Sequence, residues 1–278
     1  MSVLLMKKRT NYLLHYLILI ILAIVVLYPI LYIFSIALMT PQEIDSYPPP
    51  FLPSRFYIEN LKLAMTTVPI IKFIMNSFVV STGVMVGQLI TASMAAYAFS
   101  NIQFKGRNLL FAIFLSTMMI PWEVTIIPNY LTIKAWGWMD TYQGLMVPFM
   151  ATAFGIFLLR QFFLQLSKEL FEAAKMDGGG HIRIFFSIVL PLSRPAIGTL
   201  GVYSFLTTWN MYLWPLLVTN QETMRTVQIG VTMLQWAEFM SWNLVSAGIT
   251  IVLLPSLILL VLGLKQLVRG ITAGAVKG

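Results

Sequence analysis

The side chains able to do chemistry are few and scattered. There is no cysteine, so neither a disulfide nor a thiolate nucleophile or metal ligand exists. The two histidines, His15 and His181, stand far apart and show no zinc-ligand spacing, so no metal site is expected. No G-x-x-x-x-G-K-[ST] loop is present, and Gly178-Gly179-Gly180-His181 does not make one. The acids form no cluster, and neither histidine has a nucleophile motif beside it. That argues against the main enzymatic alternative, a membrane-embedded glycosyltransferase, which needs clustered acids or a nucleophile–base pair. What remains are polar and aromatic residues inside apolar stretches. Asn210 lies beside Trp209, with Tyr212 and Trp214 following. Gln88 and Asn76 sit in an earlier apolar run. Polar groups at membrane depth usually face protein or water. Aromatic rings stack on sugar C–H faces and amides bond hydroxyls, so these six residues are the candidates for a translocation path. Each also has a packing reading, as a satisfied core amide or an ordinary core ring.

The elements that carry them are set by composition. The 278 residues are 58% hydrophobic and 10% charged, far below the ~25% charge of soluble domains. Six stretches approach or exceed the ~20 apolar residues that cross a bilayer: 12–39, 73–100, 108–128, 142–163, 195–218 and 244–268. The first is too long for a signal-peptide core and no cleavage site follows, so it is expected to be retained. With the N-terminus inside, thirteen of the 18 lysines and arginines fall on cytoplasmic segments and five outside. Both termini are therefore expected in the cytoplasm. The net charge of +8 is read as this topology signal, not as a nucleic-acid surface. Residues 40–69 carry Pro48, Pro49, Pro50 and Pro53 and are expected on the outer surface, partly extended. Trp136, Trp138, Trp236 and Trp242 read as an interfacial belt, with an external partner as the alternative. Gly83-x-x-x-Gly87 reads as a close helix contact.

Residues 164–194, between the fourth and fifth spans, are the most informative. Ser167 is a helix N-cap, and Lys168 to Met176 reads as a short helix with Glu169 and Glu172 near its start. Leu170, Ala173, Ala174 and Asp177 share one face, and the alanines leave room for another surface. Gly178-Gly179-Gly180 stops the helix. Ile182, Phe185, Phe186 and Val189 are expected on one face of a second short segment, which Pro191 and Pro195 end. Without further information this hairpin equally describes an element that seals the bilayer edge.

Glu172-Ala173-Ala174, Gly178 and the Ile188-x-Leu190-Pro191 ending resemble the EAA loop of ABC importer permeases. Other stretches resemble the carbohydrate branch of that family: Met118-Met119-Ile120-Pro121 with Glu123 and Pro128, residues 157–163, Trp209-Asn210-x-Tyr212-Leu213-Trp214-Pro215-Leu216, and the tail 270–278. The loop departs slightly, with Gly179 where Ala is usual and Ser167 where Pro is usual. The resemblance implies a single all-α transmembrane domain over residues 1–278: six transmembrane helices, both termini cytoplasmic, and a coupling helix between the fourth and fifth. It further implies a multi-pass protein of the bacterial inner membrane. Its partners would be a second homologous permease, an ABC ATPase dimer that binds ATP and Mg, and an extracytoplasmic solute-binding protein. No cofactor would be bound by this chain. Glu172, Ala173, Ala174, Asp177, Gly178, Ile188, Leu190 and Pro191 would couple to the ATPase. Ala273, Gly274, Ala275, Val276, Lys277 and Gly278 would reach the ATPase interface. The solute would be a sugar or polyol. Residues 208–216 look most like permeases for glycerol 3-phosphate, yet no lysine or arginine sits mid-span to meet a phosphate. An importer for another solute class remains the alternative.

Overall fold

The computed structural model describes residues 2–235 and 242–273, and they are helical without a strand. In order these are α1 Ser2–Ala37, α2 Pro41–Ile44, α3 Glu59–Thr67, α4 Ile70–Asn101, α5 Arg107–Thr117, α6 Trp122–Ala135, α7 Tyr142–Met146, α8 Ala153–Phe163, α9 Lys168–Met176, α10 His181–Ile184, α11 Leu190–Leu192, α12 Arg194–Trp209, α13 Leu213–Val218, α14 Val227–Gln235 and α15 Trp242–Ala273. The chain divides into two compact units, 1–70 with 231–253 and 71–230 with 254–278.

In the first unit α1 carries a 24-residue apolar run, Leu14–Ala37, of mean hydropathy 3.0. Its large apolar side chains from Tyr12 to Leu31 are almost all exposed, so burial against this chain does not stabilise it. Its C-terminal end is held firmly. Buried Asn60 donates through Nδ2 to the carbonyls of Ala37 (3.0 Å) and Met39 (2.8 Å), groups that a helix end leaves unpaired. Asn243 Nδ2 in turn donates to Asn60 Oδ1 at 3.1 Å.

The segment after α1 is less extended than its prolines suggest, since α3 forms within it. It is pinned by Glu43. That carboxylate accepts from Ser54 N (2.7 Å), Thr40 N (2.8 Å) and Thr40 Oγ1 (3.0 Å). The bonds from Ser54, and next those from Thr40, pull its pKa down from 4.5 to about 2. The folded value lies below the unfolded one. The clasp therefore contributes fully above about pH 4.5 and is lost as pH falls through about 2. Glu43→Ala should expose the Ser54 and Thr40 amides to hydrogen exchange at pH 7; unchanged protection there would show that the clasp does not hold the segment.

In the second unit, three of the expected spans are broken. The run 108–128 is not one helix: α5 and α6 meet at 94°. Pro121 is the cause, since it lacks an N–H and bars the preceding residue from helical geometry. The run 142–163 bends by 46°, between α7 with its following 3-10 turn, which contains Pro148, and α8. Thr152 caps α8 by accepting from Gly155 N at 3.2 Å. The run 195–218 is also interrupted, α12 stopping at Trp209 and α13 starting at Leu213. Pro215 cannot donate to the carbonyl four residues earlier, so no continuous helix passes through 211. Among the described residues three helices are long and apolar enough to cross a membrane, or up to six if each bent pair counts as one; the third such pair is not 195–218 but His181–Leu192 with Arg194–Trp209, bent by 76°.

Residues 236–241 and 274–278 lie outside the described residues, among them Trp236 and the tail from Gly274 to Gly278. Ala273 ends α15. Trp136 and Trp138 pack edge to face at 4.9 Å, and Trp242 is exposed.

Candidate functional site

Two features of the second unit are candidates. The first is the hairpin built on α9. Ser167 caps the helix, its Oγ accepting from Glu169 N at 3.3 Å. At the other end Gly179 N donates to Ala174 O (2.8 Å) and Gly178 N to Lys175 O (3.0 Å), with Gly178 at φ +75°. This is a Schellman stop, and the left-handed residue at its centre favours glycine. Phe171 and Ala174 lean on the cluster formed by Leu159, Phe163, Ile184 and Phe185. The opposite side bears Glu169, Glu172, Ala173 and Met176, all exposed, Met176 by 89%. Asp177 and Gly178 are exposed as well. Ala174 is thus turned toward its own chain, and Ala173 away from it. Asp177 and Arg183 help line a hollow of about 190 Å³ between α9 and α10.

The second leg differs from its expected face. Phe185 and Val189 are buried together with Ile184, but Ile182 (78%) and Phe186 (62%) are exposed. Phe185–Val189 forms a π-helical turn. One extra residue per turn rotates the phase, which brings Ile184 and Val189 inward and throws Ile182 and Phe186 out. Ile188 and Leu190 are half-buried and Pro191 is exposed. The leg is tied to α4 by Tyr97 Oη and His181 Nδ1, 3.1 Å apart. Near the C-terminal end of α8, Arg160 lies over the Phe111 ring at 4.0 Å and donates to Phe99 O at 3.1 Å.

The second feature is a cleft of about 460 Å³ walled by α12, α13, the start of α6 and the break before α8. Its lining mixes rings (Trp122, Phe149, Phe154, Tyr203, Tyr212, Trp214) with polar groups (Gln88, Glu123, Thr152, Ser204, Thr207, Thr208). Among the described residues no lysine, arginine or histidine lines it. Ser204 is 1% exposed and its Oγ has no hydrogen-bond partner among the described residues. Glu123 is exposed, without an ion-pair or hydrogen-bond partner among the described residues.

Of the six residues picked as a path, three border this cleft. Tyr212 is 39% exposed there. Trp214 is fully buried and backs the cleft; its Nε1 donates to Gly144 O at 3.0 Å and its ring packs edge to face on Trp122 and Phe149. Gln88 donates to Phe149 O at 2.8 Å, while Thr91 Oγ1 donates to Met150 O at 2.7 Å. These two side chains satisfy carbonyls freed by the helix break, which lipid could not do. The other three do not line it. Trp209 is buried and stacks on Phe205 at 5.7 Å. Asn210 is exposed; it donates to Leu206 O at 2.8 Å and accepts from Gln228 Nε2 at 3.3 Å. Asn76 is fully buried, donating to Thr223 O (2.8 Å) and Arg225 O (2.9 Å) and accepting from Tyr142 Oη (2.8 Å). Ser204, Thr207, Thr208 and Met211 went unpicked. Their spacing of three to four along one helix face was a readable signal. Gly83 and Gly87 face Met146 and Met150: a Cβ on either would sit 2.5 Å from Met146 Sδ or Met150 Cγ.

Comparison with known proteins shows the family. Residues 83–272 match the family model described as binding-protein-dependent transport system inner membrane component. The sn-glycerol-3-phosphate transport system permease protein UgpE of Brucella suis is 38% identical over 274 residues, 95% of this chain and 97% of the relative. Its counterpart in Rhizobium meliloti is 36% identical over the same length. A chain in the crystal structure of a bacterial ABC transporter involved in the import of the acidic polysaccharide alginate superposes with a TM-score of 0.82. It covers 93% of this chain and 97% of that one at 24% identity, a likeness of fold. This chain belongs to the family of binding-protein-dependent transport system inner membrane components, and is a multi-pass permease subunit rather than an enzyme.

Proposed function

We propose that the chain supplies half of the translocation path for a sugar or polyol and couples it to a separate ATPase. The observation that carries the coupling role is α9, supported by its own chain through Phe171 and Ala174 and bare on the side of Glu172 and Ala173. A capped helix with one free face of small and acidic side chains suits a docking groove on another subunit. ATP and Mg would belong to that ATPase dimer, and this chain would bind no cofactor. Six crossings follow if each bent pair acts as one span. The positive-inside bias then puts both termini and α9 in the cytoplasm. One α9 serves one groove, so an ATPase dimer calls for a second, homologous permease. The remaining partner is an extracytoplasmic solute-binding protein. The tail from Ala273 to Gly278 is small enough to thread between ATPase subunits.

The cleft supports the solute class. Rings beside hydroxyls, that of Ser204 unpaired, suit a polyhydroxylated ligand, and the relatives named for glycerol 3-phosphate fall in that class. A phosphate passing here would find its cations on the partner permease, since the described lining offers Glu123 and no base. Thr207 is exposed in the cleft, so Thr207→Trp should fill the space without disturbing the core. Uptake by the assembled transporter should fall to background at an unchanged membrane level; undiminished uptake would remove the cleft from the path.

A further inference from the structure

The proline-rich segment after α1 has a feature that the proposed function does not use. Phe51 stacks on Tyr28 (5.2 Å) and Tyr32 (5.7 Å, rings 2° from parallel). Ser35 Oγ donates to Phe51 O at 2.5 Å. At 1.5 Å per residue, Tyr32 and Tyr28 lie about 8 and 14 Å back from Ala37, where α1 ends. The chain therefore leaves α1, turns, and folds back along its apolar side. The run Leu14–Ala37 is about 36 Å long against ~30 Å of hydrocarbon, so the Phe51 ring sits roughly 8 Å below the hydrocarbon boundary.

Irregular backbone near that depth costs less the fewer unpaired donors it presents. Four of the nine residues 46–54 are proline and have no N–H to satisfy. Ser54 N is taken by Glu43, and the Phe51 carbonyl by Ser35; the N–H groups of Phe51 and Leu52, unpaired among the described residues, are left for headgroup oxygens or water at the boundary. The side chains at the tip are apolar and uncovered: Tyr47 is wholly exposed and Leu52 69% exposed. They continue the bare apolar surface of α1. Charge appears only at the ends of the segment, with Asp45 before it and Arg55 after it.

We propose that residues 47–52 are a lipid-binding element, inserted into the leaflet at the C-terminal end of α1 as a donor-poor apolar loop. Its partner is the acyl-chain and headgroup boundary of the bilayer. Neither the coupling role of α9 nor the solute path enters the argument. Because the chain has no cysteine, a single one can be placed at will. The test is Leu52→Cys in the assembled transporter in lipid bilayers, spin-labelled and read for collisions with oxygen, which concentrates in the hydrocarbon, and with a water-soluble nickel chelate. Tyr47→Cys is a second site, and Lys62→Cys on exposed α3 a water-facing reference. The oxygen-to-nickel ratio should exceed one at positions 52 and 47 and fall below one at 62. A ratio below one at 52 and 47 would place the segment in water. Collisions with neither reagent would place it under protein, such as the second permease. Either result overturns the proposal.

Discussion

Ala173→Asp should abolish solute uptake while leaving the chain in the membrane at its normal level. Ala173 is on the bare side of α9, so the new carboxylate meets water in the free chain and does not disturb the fold. On docking it would be carried unpaired into a close-packed interface, at a cost of about 3–5 kcal/mol. That corresponds to about a 100-fold or greater loss of coupled transport, read as uptake and as solute-stimulated ATP hydrolysis. The neighbouring change Ala174→Asp acts differently. Ala174 packs on the cluster of Phe163, Ile184 and Phe185, so its carboxylate would loosen the hairpin itself and lower the level of folded chain. If both changes lower uptake only in proportion to protein level, α9 is a structural hairpin and not a coupling helix.

Asn76→Leu should destabilise the chain without altering its solute preference. The substitution keeps the branched skeleton, with bulkier methyl ends, but removes three bonds at a fully buried site: the donors to Thr223 O and Arg225 O, and the acceptor for Tyr142 Oη. Losing such a network costs about 2–4 kcal/mol. The expected result is a lower melting temperature of the purified complex and less chain in the membrane, with the KM of residual uptake unchanged. Normal stability with a changed KM would instead put Asn76 in the path.

These two sites show what was legible in the sequence. The bounds of α9 follow from signals acting over a few residues: Ser167 at the start, acids in the first turn, and Gly178 at the stop. Such signals need no knowledge of the rest of the fold. The helix breaks were harder to read. A hydropathy window over 108–128 or 142–163 registers composition, whereas the breaks depend on Pro121 and Pro148. The second break also depends on distant partners, Gln88 and Thr91, that satisfy the freed carbonyls. Orientation was harder still. Trp209 and Trp214 looked equivalent within one aromatic block, but the interruption at 210–212 separates them onto two helices. One stacks on Phe205 and the other backs the cleft. Likewise Ile182 and Phe186 fit an α-helical apolar face until the π-turn shifts the register.

The docking of α9 on an ATPase is tested most directly by proximity. Ala173→Cys adds one near-isosteric thiol to a chain that has none. In membranes holding the whole transporter, a short thiol-to-amine cross-linker should join position 173 to the ATPase subunit. The yield should change when ATP is added, and a cysteine at Thr66, on exposed α3, should give no such adduct. A thiol at 173 that reacts with soluble maleimide in the full complex but never cross-links to the ATPase would contradict the account.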